Sequence, residues 1–385
     1  MRIVFLMLDL PDELSNSNLY LDLALEFKLR GHDVYIIAPS LSSNKDELII
    51  ERGVNVLRVR TYKQLGVKSF LKKGFAQFFL PIQFKKAYKK HLIDIKFDLV
   101  LAPTPPITLI SLVKYIKKKT QAKFYLILRD IYPQGAADIG LVKYKIAHYY
   151  LRFLEITTYR NAEYIGCMSP ENIKYIKKHN PNISEKKLFL LPNWQRKETF
   201  SIKHDDSVRE KYNLTGKFIV LFGGTIGYAQ KIENIVTLGI NYQTNENIVF
   251  LVIGKGVKKD YLVSQVNEHD LSNVIILDNL ARTDYLKFVN TSDVGLISID
   301  ERFTVPTIPS KTTSYLNFKL PILAIIDPHT DYGKIIEENS FGLWSIGGDK
   351  ERLFNNLDLL YYDYSLRQKM GECGYDYFIN NLTAE

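Results

Sequence analysis

A short apolar run, then a segment long enough for a helix, then another apolar run: this rhythm fills the first half of the chain and then starts again. The first series is RIVFLML (2–8), DVYIIA (33–38), VNVLRV (54–59), FDLVLA (97–102), KFYLILRD (123–130), AEYIGCMS (162–169) and LFLLP (188–192). Helix-length segments lie between, notably 17–30 and 107–119. The second series is KFIVLFGG (217–224), NIVFLVIGKG (247–256), NVIILDN (273–279), DVGLISI (293–299) and LPILAII (320–326). Runs that are continuous rather than alternating predict strands covered on both faces, and strand–helix alternation predicts a parallel sheet with right-handed crossovers. At 385 residues the chain also exceeds the roughly 250 to 300 residues that one core holds. The expected fold is α/β, with two Rossmann-like, doubly wound domains at 1–195 and 196–385. The hinge falls near PNWQRKETFS (192–201), and the terminal helix is free to pack back on the first domain. Ligands of such sheets sit beyond the carboxyl ends of the strands, which places the expected site in a central cleft faced by both domains.

Hydrophobic content of 46% and charged content of 24% exclude disordered and fibrous classes. The two cysteines, Cys167 and Cys373, form no disulfide scaffold and point to a reducing compartment. The opening MRIVFLMLDLPDE has too short an apolar run for a signal peptide, and acids follow it at once, so it reads as a first strand. No stretch has the roughly 18 uninterrupted apolar residues of a membrane span, so a cytoplasmic protein is expected. The net charge of +9 is unevenly spread. From Arg52 to Arg129 there are 18 Lys and Arg against Asp94 and Asp98, a local +16; the rest carries 33 basic against 40 acidic residues, or −7. Within the basic part, KSFLKKGFAQFFLPIQFKKAYKK (68–90) sets Lys72, Lys73, Lys85 and Lys86 among phenylalanines with no acid. No nucleic-acid motif accompanies it, so an anionic membrane surface fits better than a nucleic acid.

Four loops could carry chemistry. GGTIGYAQ (223–230) follows a strand and precedes a helix expected from about Lys231. Its glycines let backbone amides approach a phosphate, or they serve a tight turn; the spacing fits neither the dinucleotide fingerprint nor the P-loop. GKG (254–256) closes the next strand in the same way. In TIPSKTTSYL (307–316), Ser310 stands at a helix start and Lys311 adds a point charge suited to phosphate, or the two are an N-cap and a solvated cation. LILRDIYPQG (126–135) puts Arg129 and Asp130 at the end of a buried strand, where a charged pair is costly unless used or paired. The histidines form no metal-like cluster and there is no Asp-x-Asp, so no dedicated metal site is expected.

In this order the pieces resemble the family-4 retaining glycosyltransferases of GT-B fold, especially the bacterial subgroup that builds O-antigen and capsule repeat units. The resemblance rests on LALEFKLRGHDVYIIAP (23–39), TPPITLISLVKYIKKKTQAKFYLILRDIYPQGAADIGLV (104–142), LLPNW (190–194), GGTIGYAQKIENIV (223–236), VIGKG (252–256) and IPSKTTSYLNFKLPILA (308–324). It implies that the first domain takes the acceptor and the second a nucleotide-sugar. Gly224, Thr225 and Gly227 would lie against the donor diphosphate with Ser310 and Lys311, and Gly254 and Asn279, Leu280 and Arg282 would border the base and ribose. Asp130 would act on the acceptor hydroxyl unless the donor phosphate does so, with Arg129 beside it. The leading reading is transfer of a hexose, an N-acetylated amino sugar, from a UDP donor to a polyprenyl-diphosphate-linked glycan, with no cofactor, on the inner membrane face. Two departures stand out. Relatives carry two glutamates eight apart where this chain has Pro306 and Ser314, with Glu301 a candidate substitute, and the paired glycines of the first strand–helix loop are replaced by DELSNSN (12–18). The alternatives are a UDP-sugar 2-epimerase, whose His and Glu residues are not seen in the matching loops, and a non-catalytic binding protein of the same fold.

Overall fold

The structure, a computed structural model, describes residues 1–11, 17–40, 45–62, 70–198 and 207–385, with backbone alone at 70–75. It divides into two compact units, Met1–Pro192 with Ala384–Glu385, and Asn193–Thr383.

The first unit holds strands β1 (Arg2–Leu6), β2 (Asp33–Pro39), β3 (Glu47–Glu51), β4 (Val54–Val59), β5 (Leu99–Thr104), β6 (Lys123–Leu128), β7 (Tyr164–Cys167) and β8 (Leu188–Leu190). Its helices are α1 (Leu19–Leu29), α2 (Phe70–His91), α3 (Ile110–Thr120), α4 (Gln134–Asp138), α5 (Lys145–Asn161) and α6 (Pro170–His179). The strands form one sheet in the order β3-β4-β2-β1-β5-β6-β7-β8. All neighbours run parallel except β3 and β4. The central strands are buried along nearly their whole length, as the continuous apolar runs predict. β3 breaks the rule: ELIIE is half-exposed at the sheet edge and turns back through Arg52 and Gly53, both at positive φ.

The second unit holds α7 (Ser207–Lys211), β9 (Phe218–Thr225), α8 (Glu233–Asn241), β10 (Ile248–Lys255), α9 (Lys259–Glu268), β11 (Val274–Leu277), α10 (Arg282–Thr291), β12 (Val294–Ser298), α11 (Lys311–Asn317), β13 (Ile322–Ile326), α12 (Tyr332–Glu338), β14 (Gly342–Ile346), α13 (Lys350–Tyr362) and α14 (Tyr364–Asn381). Its sheet is wholly parallel, in the order β11-β10-β9-β12-β13-β14. The chain winds outward from β9 in one direction and from β12 in the other, so these two paired strands mark the switch point where ligands of open α/β sheets bind. The terminal helix α14 lies on α11 within this unit. A Cβ at Gly371 would come 2.2 Å from the Lys319 carbonyl oxygen, and one at Gly374 would come 2.7 Å from Leu316.

Several helix starts follow from their caps. Ser169 accepts a bond from the Asn172 amide at 3.3 Å ahead of Pro170, and Asp363 accepts one from the Leu366 amide at 2.8 Å. The helix expected from Lys231 begins at Glu233 instead. A 3-10 turn at Tyr228–Gln230 comes first, and Lys231 sits in the left-handed region at φ 38°. Among the described residues no helix is long and apolar enough to cross a membrane.

Candidate functional site

The two loops singled out in the second half come together. β9 and β12 are hydrogen-bonded neighbours, Val220 opposite Val294 and Leu221 opposite Gly295, so GGTIG and the segment leading to α11 leave adjacent strand ends. One face of α11 then lies on the end of β9. The Tyr315 hydroxyl donates to the Leu221 carbonyl at 3.0 Å and accepts from the Gly223 amide at 3.1 Å. One turn earlier, Lys311 extends along the same face, and its Nζ rests 3.6 Å from the centroid of the Phe222 ring. Gly223 is required here, because a Cβ would meet the Tyr285 hydroxyl at 2.1 Å.

Lys311 is the most unusual group in this region. Its Nζ is buried and has no hydrogen-bond partner. Burial pulls the ammonium down to about 7 from its ordinary 10.5. An ammonium without a counter-charge is expensive to bury, and the ring face of Phe222 compensates only in part. Ser310 is exposed, and its hydroxyl makes no capping bond to α11, so the N-cap alternative does not describe it.

The glycine loops divide into two kinds. Gly224 has φ +106° and nothing within 4 Å of where a Cβ would stand; it and Thr225 are exposed. Gly254 faces the Gly224 carbonyl oxygen, which a Cβ would approach to 1.8 Å, and a Cβ on Gly256, at φ +159°, would come 2.1 Å from Ile226 O. The Ile226 amide donates to Lys255 O at 2.9 Å and the Lys258 amide to Ile226 O at 3.0 Å. GKG is thus the platform against which GGTIG is laid, a packing duty that gives Gly254 its identity without a ligand. Gly227 is buried in ordinary extended backbone.

The polar face of α11 is tied to the segment that enters the unit. Gln195 Oε1 accepts from Ser314 Oγ at 2.8 Å and from Thr313 Oγ1 at 3.1 Å. Asn193 Nδ2 donates to Ile308 O at 2.9 Å and Asn317 Nδ2 to Arg196 O at 3.2 Å. Ser314 therefore works as a strap in this structure. Beyond β12, Glu301 accepts from Lys231 Nζ at 2.8 Å, while its other oxygen is buried without a partner. Arg282, at the head of α10, bonds Glu198 at 2.9 Å; Asn279 is exposed and Leu280 half-buried.

In the first unit, Arg129 and Asp130 leave the end of β6 with opposite fates. The Arg129 guanidinium is buried and donates to the Leu191 carbonyl at 2.8 Å and the Pro192 carbonyl at 3.3 Å. Burial lowers it to about 10. Asp130 is an exposed residue, and desolvation of its carboxyl by the surrounding protein raises it to about 6 against the pull of Arg129. Thr104 fixes the turn, accepting from the Arg129 amide at 3.3 Å and donating to Asp130 O at 3.2 Å. Arg129 is thus a fastener for the chain leaving β8, while Asp130 is a carboxylate suited to proton transfer near neutrality. Cys167 is buried with its thiol pushed up to about 12, which makes it inert.

The basic helix is only partly as expected. Lys68 lies outside the described residues, as do the side chains of Lys72 and Lys73. Leu80 and Phe84 are core residues, whereas Phe78 and Ile82 face outward with Lys86. Lys85 lies over the Tyr115 ring, 4.4 Å from its centroid. Sequence reading missed Phe222, Tyr285 and Tyr315. The signal available was the i, i+4 spacing of Lys311 and Tyr315, which places both on one helix face. Among the described residues no group of His, Cys, Asp or Glu is arranged to hold a metal ion.

No family model matches the sequence. The chain is 25% identical over 275 residues to WbjE of Pseudomonas aeruginosa, named as a glycosyltransferase, covering 71% of this chain and 68% of that one. It is 20% identical over 268 residues to WcaI of Escherichia coli, named as a colanic acid biosynthesis glycosyl transferase, covering 67% and 63%. Among solved structures it resembles the sucrose-phosphate synthase of Thermosynechococcus elongatus, with a TM-score of 0.78 at 14% identity over 99% of this chain and 95% of that one. It also resembles Anabaena Alr3699/HepE, solved with UDP, with a TM-score of 0.69 at 12% identity over 100% and 96%. The fold is GT-B, two Rossmann-like α/β domains, and by sequence the chain is related to glycosyltransferases.

Proposed function

We propose that this chain is a glycosyltransferase of polysaccharide biosynthesis that takes a sugar, an N-acetylated amino hexose, from a UDP donor and passes it with retention of configuration to a polyprenyl-diphosphate-linked glycan. The observation that carries the reading is the buried, unpartnered ammonium of Lys311 over Phe222, on the strand that ends in the open backbone of Gly224. The diphosphate of the donor is the counter-charge this site lacks. As the glycosidic bond breaks, charge grows on the departing UDP, and a fixed cation in a dry setting stabilises that charge most where it develops. α11 is only seven residues long, so the positive charge rests on Lys311 rather than on the helix end. In this reading no metal ion or cofactor is needed.

Asp130 acts on the acceptor in the first unit. With its carboxyl raised to about 6, it is ionised at neutral pH yet basic enough to take a proton from an attacking hydroxyl as the new bond forms. The exposed lysines of α2, Lys86, Lys89 and Lys90, face an anionic membrane surface, on the inner face of the cell membrane, where a lipid-linked acceptor resides. The solved UDP complex of a protein with this fold supports a uridine nucleotide as donor. Calorimetric titration of the protein with UDP, UMP and uridine tests the core of the proposal. UDP should bind at least about tenfold more tightly than uridine, because the charge-assisted contacts are made to phosphate. Equal affinity for the two would remove the diphosphate from the site.

A further inference from the structure

The start of α5 is a helix with almost nothing to lean on. From Lys143 to Tyr150 every residue but His148 is exposed, and the first fully buried side chain of the helix is Glu155. Tyr144, Ile146, Tyr149 and Phe153 are 79%, 85%, 70% and 64% exposed, and Tyr150 is 48% exposed. Positions 146, 149, 150 and 153 recur at helical spacing, so they form one stripe. Helices in proteins owe their stability mainly to packing, and among the described residues this stripe has little of it. These side chains together present on the order of 500 Å² of apolar surface, at the upper end of what a soluble monomer exposes in one patch.

The charge around the stripe indicates what covers it. Ile139 to Leu154 contains no acid, while Lys143 and Lys145 are exposed beside the tyrosines. Arg152 is already committed, donating to Glu155, His179 O and Asn180. α5 and α2 both pack against α3 and the 3-10 turn at Ile107–Leu109, so they lie on the same side of the sheet. α2 has no acid from Phe70 to His91, and it turns Phe78 (54% exposed), Ile82 (57% exposed) and Lys86 outward. Tyrosines and a phenylalanine at the level of lysines, with no acid between, match the interface of an anionic bilayer. A second copy of this chain would bring lysine against lysine on the same patch.

We infer that the α5 stripe Tyr144, Ile146, Tyr149, Tyr150 and Phe153 is the segment that inserts into the headgroup boundary of an anionic membrane, with the lysines of α5 and α2 holding the surrounding phosphates. This deepens the membrane-facing part of the proposed function, and it moves the apolar anchor from α2, whose Leu80 and Phe84 are core residues, to α5.

The test uses the full chain and vesicles of phosphatidylcholine with or without phosphatidylglycerol. Tyr149→Ser with Phe153→Ser should lower partition onto the anionic vesicles by about tenfold or more, with UDP affinity unchanged. In the Tyr149→Trp variant, brominated lipids should quench the new indole, whereas the native Trp194 and Trp344 of the second unit should not respond. Wild-type partition of the double variant, or an unquenched indole on bound protein, would overturn the inference. So would sedimentation showing a dimer that the serine variant dissociates, because the stripe would then be covered by a second copy. UDP titrations are run in parallel: loss of vesicle binding with intact UDP binding isolates the surface, and the reverse result isolates the donor site.

Discussion

Lys311 makes the donor-site reading quantitative. With its ammonium held near 7, roughly 97% of it is neutral in the free protein at pH 8.5, while a diphosphate, with its last pKa near 6, is fully ionised. Bound UDP should restore the charge, so binding at pH 8.5 takes up close to one proton from solution. Calorimetry of UDP binding in two buffers of different ionisation enthalpy reads that proton directly. If the bound form keeps its proton, affinity should fall by about 50-fold, or roughly 2.3 kcal/mol, between pH 7 and 9. The stability of the free protein runs the other way. The folded pKa lies below the unfolded one, so between about 7 and 10.5 the unfolded chain holds more protons and stability rises with pH. Lys311→Met keeps the stem on Phe222 and removes the charge. It should raise the Tm at pH 7 by an amount equivalent to about 1 to 3 kcal/mol, less than the full displacement implies because the ring contact already offsets part of the burial cost. The same variant should weaken UDP binding at least tenfold and abolish the proton uptake. An unchanged UDP affinity, or a lower Tm with no proton uptake in the wild type, would refute the reasoning.

Asp130→Asn should slow sugar transfer by about 10² to 10⁴ with UDP affinity unchanged, and the wild-type rate should climb with pH around a midpoint near 6; a near-normal rate in the variant removes Asp130 from the chemistry. Gly254→Ala drives a Cβ to 1.8 Å from the Gly224 carbonyl oxygen and should cost about 1 to 3 kcal/mol in thermal unfolding together with UDP affinity. Gly224→Ala meets no atom and should lose about 1 kcal/mol or slightly more, from its positive φ alone. Ser314→Ala leaves Thr313 on Gln195 and should cost about 0.5 to 1.5 kcal/mol with UDP affinity intact; a severe binding defect would show that this hydroxyl reaches the donor.

The strands that carry the site were legible because they are buried on both faces: β10, β12 and β13 fall within the apolar runs read from the sequence, and β9 passes its run by Thr225 alone. β3 and β14 were missed. ELIIE and GLWSI are edge strands, with all five residues of the first and three of the five of the second reaching solvent, so neither shows a long apolar run. The glycine cradle and Pro-Ser-Lys were also readable, as residue types suited to phosphate. What could not be read was that Lys311 points inward, since a lysine at a helix start ordinarily projects into water. Only the packing of Tyr315 on β9 turns that face of α11 to the sheet. In α2 the sequence shows lysines among phenylalanines, suited as a whole to a membrane surface, but the helical period separates Leu80, Phe84 and Tyr88, which are buried, from Phe78 and Ile82, which are exposed. The α5 stripe escaped notice because tyrosines among lysines resemble an ordinary solvated face until their exposure is seen.

The absence of carboxylates at Pro306 and Ser314 and the state of Lys311 belong to one electrostatic arrangement. A glutamate one turn along α11 from Lys311 would lie at i, i+3 spacing, close enough to pair with the ammonium and satisfy it without a ligand. Here that position is Ser314, whose hydroxyl is turned to Gln195. Thr312 shares a hydrogen bond with Tyr332 at 2.6 Å, so the first turn after Lys311 spends its polar groups on holding the helix in place. Burial alone sets the state of Lys311, with no acid opposing it; the acids just beyond β12 are themselves paired, Asp300 with Arg302 at 2.6 Å and Glu301 with Lys231 at 2.8 Å. Lys311 is therefore held in position by neighbours that do not quench it, and the ring of Phe222 offsets only part of its burial cost. In the proposed function a donor diphosphate would recover that cost on binding, and more strongly as charge builds on the leaving group, which is the condition for binding energy to appear in the rate.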